Sequence, residues 1–185
     1  ASAFSLCPQR TSAQQADHHE HEHAAGAHAG EHLGVVSFPN SGARVAQRPF
    51  LRGLALLHNF EYDDARSAFR AAERADSGFA MAYWGEALTF AQLLWGLDYA
   101  DSARTALTKL GPTTEARLAK AGSSRERQYG AAVEALFAPS DLPTRVRGYI
   151  AGLRTLTSTY PHDLEARAVL AVSLLLDESG TPAEQ

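Results

Sequence analysis

Two short segments constrain the fold of this chain more than anything else in it. Residues 63–69 read DDARSAF and residues 101–107 read DSARTAL. Asp101 answers Asp63, Ala103 answers Ala65, Arg104 answers Arg66 and Leu107 answers Phe69, at an offset of 38 residues. In each segment the small and apolar positions recur at helical spacing. A chain that writes the same helix twice is expected to stack similar units side by side, each burying its apolar face on the next.

The flanking residues extend that pattern. Phe50, Leu51, Leu54, Leu57 and His58 share one face of a helix that starts between Ala43 and Pro49, with Pro tolerated in a first turn. Asn59–Tyr62 makes a turn, and Asp63 or Asp64 can cap the second helix. That helix buries Ala65, Phe69 and Ala72 and stops near Ala75, where Asp76-Ser77-Gly78 breaks the chain. Met81, Trp84, Leu88, Ala91 and Trp95 read as one continuous stripe, with the two tryptophans three turns apart on the same face. Further helices are expected over 101–107, 113–121, Ser123 to Phe137, and 144–160. Ser123-Ser124-Arg125-Glu126 reads as a capping box. After Tyr160-Pro161-His162-Asp163, LEARAVLAVSLLL starts a last helix whose Leu/Val face has no partner later in the sequence. Either that helix packs back as a cap or the natural protein continues; stacked arrays need polar capping helices, which favours continuation.

Gly53, Tyr62, Ala65, Phe69 and Ala72 are spaced as in one tetratricopeptide (TPR) unit, two antiparallel helices crossing at small residues. The offset of 38 exceeds the period of about 34 for this class, and the extra residues fall in a longer turn around 94–98. The expected fold is therefore all-α, a TPR-like α-solenoid of antiparallel helix pairs over residues 45–178. An extended lead-in over 33–44 precedes it and a polar tail over 179–185 follows. The block from His32 to Leu88, HLGVVSFPNSG…FLRGLALLHNFEYDDARSAF…AMAYWGEAL, resembles a bacterial family of exported TPR proteins. The resemblance implies a TPR-like fold and a periplasmic or extracellular location, and supplies no defined reaction. Members often carry cysteines where this chain has Gly42 and Phe79, and a His just before the second Trp, where it reads Gln92-Leu93-Leu94. A family disulfide, and any role of that His, would be missing here.

The N-terminal portion is a different material. Residues 14–32, QQADHHEHEHAAGAHAGEH, have four acidic residues, no Lys or Arg and no apolar periodicity, which predicts a disordered arm. Residues 1–13 read as the remnant of an export signal, with a disordered terminus as the alternative. His18, His19, His21, His23, His28 and His32 are six of the eight histidines. Imidazole nitrogens suit Zn, Cu or Ni, and Glu20 and Glu22 can add oxygen. The alternative is a solvated linker. The net charge of −4 gives no basic footprint for nucleic acid, and no apolar run reaches the roughly 18 residues of a membrane span. Cys7 is the single cysteine, which excludes an internal disulfide, a haem-attachment pair and a Cys-based zinc site.

Nothing in the sequence forms a nucleophile motif or a Gly-rich phosphate loop. The residues set to line a partner-binding groove are Phe50, Leu54, Leu57, His58, Trp84, Leu88 and Trp95, with core packing as the competing reading for Leu54, Leu57 and Leu88 and for the two tryptophans. His58, in a last helical turn, is expected to interact with the free carbonyls there. Arg66 and Arg104 are expected to pair with Asp63 and Asp101. The chain thus reads as a non-enzymatic exported module that needs no cofactor and binds a protein or peptide, or copies of itself as an oligomer or filament. The alternative is metal handling through the His-rich arm.

Overall fold

A computed structural model describes residues 33–176. The segments read as signal remnant (1–13), arm (14–32) and tail (179–185) lie outside the described residues, and with them all six arm histidines. Among the described residues the chain is all-helical, with eight α-helices and no strand. They are α1 (Arg44–His58), α2 (Tyr62–Ala75), α3 (Ala80–Leu88), α4 (Ala100–Thr108), α5 (Thr114–Leu118), α6 (Ser124–Leu136), α7 (Leu142–Thr159) and α8 (Leu164–Leu174). No described helix is long and apolar enough to cross a membrane.

The helices pack as successive pairs. α1 lies along α2, α6 along α7, and α7 against α8, each joined by a connection too short to allow anything but a hairpin. α3 packs on α2, α4, α6 and α1. It therefore has no solvent face: Ala80 to Ala87 are all buried, with Glu86 the one charged residue among them.

The crossing of α1, α2 and α3 is set by one ring and two glycines. A Cβ on Gly53 would lie 2.9 Å from the Phe69 ring, and one on Gly85 would overlap that ring outright. Phe69 is fully buried in the slot these glycines leave, stacked obliquely on Phe50 with ring centroids 5.8 Å apart. Burial of such a ring contributes about 1.5–3 kcal/mol.

Residues 33–43 form no helix and run as a strap to α6. Phe38 is buried between Phe50 and Tyr129, at 5.5 and 5.2 Å between centroids. Arg125 stacks on Phe38 and donates to the Pro39 carbonyl at 2.8 Å. The Ser41 amide and hydroxyl donate to the two carboxylate oxygens of Glu126, at 2.6 and 2.7 Å. The Ser123 hydroxyl caps α6 as the capping-box pattern requires, accepting from the Glu126 amide. The Glu126 carboxylate, however, faces Ser41 and the Gly122 amide, so it anchors the strap as well as its own helix. Gly42, at the end of the strap, packs against the Phe79 ring, where an added Cβ would lie 2.7 Å away.

Several helix ends depart from the sequence expectation. α1 starts at Arg44, which puts Pro49 in its second turn and not its first. Neither Asp63 nor Asp64 caps α2; both sit in the first turn after Glu61, where the helix dipole favours acidic groups. The largest correction concerns Trp95. α3 ends at Leu88, and Leu93–Trp95 is a separate 3-10 turn closed by Gly96 in the left-handed region at φ 71°. The Thr89 hydroxyl donates to the Glu86 carbonyl at 2.7 Å and accepts from Arg66 Nε at 3.0 Å, which satisfies the helix end. Trp84 and Trp95 do not share a face.

Candidate functional site

A partly open cavity of about 180 Å³ lies between α1, α3, α6, α7 and α8. Its walls are overwhelmingly apolar. α1 contributes Phe50, Leu54, Leu57 and His58; α3 contributes Met81, Trp84 and Leu88; α6 contributes Tyr129, Val133 and Leu136. Tyr149 and Leu153 close it from α7, and Glu165, Val169, Val172 and Ser173 from α8. The amphipathic pattern of each helix aims these side chains inward, and the cavity is the space their packing leaves unfilled.

Of the residues set to line a groove, Phe50, Leu54, Leu57, His58, Trp84 and Leu88 all reach this cavity. Phe50 and Trp84 are buried behind its surface, whereas Leu57 and Leu88 are half-buried at it. Trp95 does not line it. It is 54% exposed and packs edge-on against Phe60 and Tyr62, at 5.1 and 5.7 Å between centroids. Phe60 and Tyr62 do line the cavity, so Trp95 buttresses its rim from outside.

Phe60 was not visible as special in the sequence. Its φ is 61°, the sole left-handed non-glycine among the described residues. A bulky side chain in that region costs of order 1–3 kcal/mol, and such strain persists where the surroundings impose it. Here it leaves a ring that lines the cavity 43% exposed.

Three polar features break the apolar lining. The Trp84 indole N–H is buried with no hydrogen-bond partner among the described residues, an arrangement that costs about 1–3 kcal/mol and is uncommon in plain core. The Ser173 hydroxyl donates to the Val169 carbonyl at 2.7 Å, and Tyr149 hydrogen-bonds Ser173. The third is ionic: His58 Nε2 lies 2.8 Å from Glu165 Oε1, with side chains 36% and 10% exposed. His58 therefore serves a partner 107 positions away in α8, not the carbonyls of its own last turn. Those carbonyls accept instead from the Asn59 backbone and side-chain amides. The hydrogen bond to Glu165 raises the His58 pKa, against the opposing effect of burial. Burial likewise raises Tyr62, Tyr129 and Tyr149, so all three phenols are neutral donors or acceptors near pH 7.

Away from the cavity, a cluster of two buried carboxylates and two partly exposed cations joins α2, α3 and the end of α4. Lys109 Nζ bridges Glu73 and Glu86, and Arg70 Nε meets Glu86 at 2.7 Å. Burial and the neighbouring Glu86 push the Glu73 carboxyl up to about 7. Burial alone would raise Glu86 too, but its hydrogen bonds to Glu73, Lys109 and Arg70 hold it below the ordinary carboxylate value. Every charge in this cluster has a counter-charge, which makes it a structural tie. Among the described residues no group of three or more His, Cys, Asp or Glu could hold a metal ion.

The fold and site together define an all-helical chain of packed pairs around a partly open apolar cavity. No family model, curated protein or solved structure matches it.

Proposed function

We propose that this chain is a TPR-like helical module, exported and non-enzymatic, that binds an apolar segment of a protein partner by taking one large side chain into the cavity. The observation that carries this reading is the cavity itself. It is large enough for one ring, since a dry apolar cavity of about 150 Å³ binds benzene. Its lining includes a strained, partly exposed aromatic residue, Phe60. A concave, mostly apolar site with a few polar groups has the chemistry of a binding site.

The test is selection of displayed peptides on the full chain, followed by Leu88→Trp, which fills the mouth. The selected peptides are expected to carry an apolar anchor and to lose at least tenfold in affinity to the variant, with little change in unfolding temperature. Peptides that bind both proteins equally would place recognition elsewhere.

Two further readings have support of their own. α8 leaves Leu164, Val172, Leu174 and Leu175 exposed, a surface on which a second copy could stack. A molar mass by light scattering that stays at one chain up to high concentration contradicts it. Metal handling rests on His18, His19, His21, His23, His28 and His32. Calorimetric titration of the whole chain with Zn²⁺ and Cu²⁺, compared with a chain lacking residues 14–32, tests that role; equal heats from both reject it.

A further inference from the structure

The charges around the cavity narrow the class of ligand. The ionisable groups that line it are His58, Glu165 and the phenols of Tyr62, Tyr129 and Tyr149; no Lys or Arg does so. Asp163 and Arg125, beside Tyr129, pair with each other at 2.7 Å, and the Tyr129 hydroxyl donates to Asp163 Oδ2 at 3.0 Å, so neither charge balances Glu165. Glu165 is the more buried member of its pair, and its Oε1 has no partner other than His58 among the described residues. A buried carboxylate needs a counter-charge. His58 is a weak and reversible one, because it loses its charge as pH rises. Tyr129 and Tyr149 line the same cavity and feel the Glu165 charge, and aromatic rings attract a cation. A permanent cation at the cavity mouth would satisfy Glu165 better than His58 does.

We propose that the cavity selects an apolar group with a cationic group beside it: in a protein partner, an aromatic or large aliphatic side chain next to Lys or Arg. The apolar part fills the cavity, and the ammonium or guanidinium displaces His58 from Glu165. This inference rests on the cavity being the binding site, and the two fail in different ways.

The test uses three probes of one shape on the full chain: phenethylamine (cationic), propylbenzene (neutral) and 3-phenylpropionate (anionic), with affinities measured by NMR titration. Phenethylamine is expected to bind about tenfold more tightly than propylbenzene, and 3-phenylpropionate most weakly. Glu165→Gln, close in shape, is expected to erase the order while propylbenzene still binds. The amine keeps its charge to about pH 9. Its affinity is therefore expected to rise with pH above the ordinary histidine value, as His58, whose pKa is raised, gives up its proton, and that of propylbenzene to stay level. Equal binding of the three, or tightest binding of the anion, overturns the charge selection and leaves the cavity reading standing. No binding by any of them overturns both.

Discussion

The segments 63–69 in α2 and 101–107 in α4 began as a sequence match and end in like surroundings. Ala65 and Ala103 are both fully buried, and Phe69 and Leu107 both sit in the core. Arg66 meets Asp63 at 2.8 Å, and Arg104 pairs with Asp101 in the same i,i+3 register. Each Arg also reaches forward to the end of a later helix: Arg66 to Thr89 after α3, Arg104 to the Phe137 carbonyl after α6. The two differ in the apolar anchor. Phe69 lies in a slot cut by Gly53 and Gly85, whereas no glycine faces Leu107. The local script is therefore repeated, and the size of the anchor is set by whether the neighbouring helices supply room for it.

That contrast can be broken by exchange. Phe69→Ala is expected to cost about 3–5 kcal/mol and Leu107→Ala about 2–5 kcal/mol, both read by urea unfolding, with Phe69 the larger because the ring spans three helices. Gly85→Ala and Leu107→Phe are each expected to cost about 1–3 kcal/mol by overpacking. If Leu107→Phe is neutral, the glycine slot is not what sets anchor size. The charge cluster that ties α2 to α4 is sharpened by Glu73→Gln. Its carboxyl titrates at about 7 when folded against 4.5 when free. A raised value means that the stabilisation present below pH 4.5 is lost as pH rises towards 7. Glu73→Gln is expected to gain about 1–3 kcal/mol relative to wild type at pH 8 and nothing at pH 4. Arg66→Ala and Arg104→Ala are expected to cost less than about 1 kcal/mol each, since Asp63 and Asp101 are almost fully exposed. Salt dependence of unfolding should be equally small for both.

How far the sequence could be read follows from the range of the interactions. Helices α1, α2, α4, α6, α7 and α8 follow from apolar periodicity, which is a local property. The end of α3 does not, because Ala91 and Trp95 continue its stripe while Thr89, held by Arg66 from another helix, ends it. Phe60 escaped notice because Asn59, beside it, is the residue type that more readily takes a left-handed conformation. The Glu165 partnership of His58 spans the first and last described helices, and no short-range pattern encodes it. Most of the cavity wall was visible as apolar positions. That it remains unfilled is a property of packing alone.

The two tryptophans give the most direct test of the central claim, that the cavity between α1, α3, α6, α7 and α8 binds ligand. Trp84 lines it and Trp95 stands outside its rim. Their indole N–H resonances, assigned with Trp95→Phe and followed in ¹H–¹⁵N spectra during titration with propylbenzene, report on the two places separately. The account predicts that the Trp84 resonance moves and saturates while Trp95 changes little. Movement of Trp95 with Trp84 stationary would contradict it.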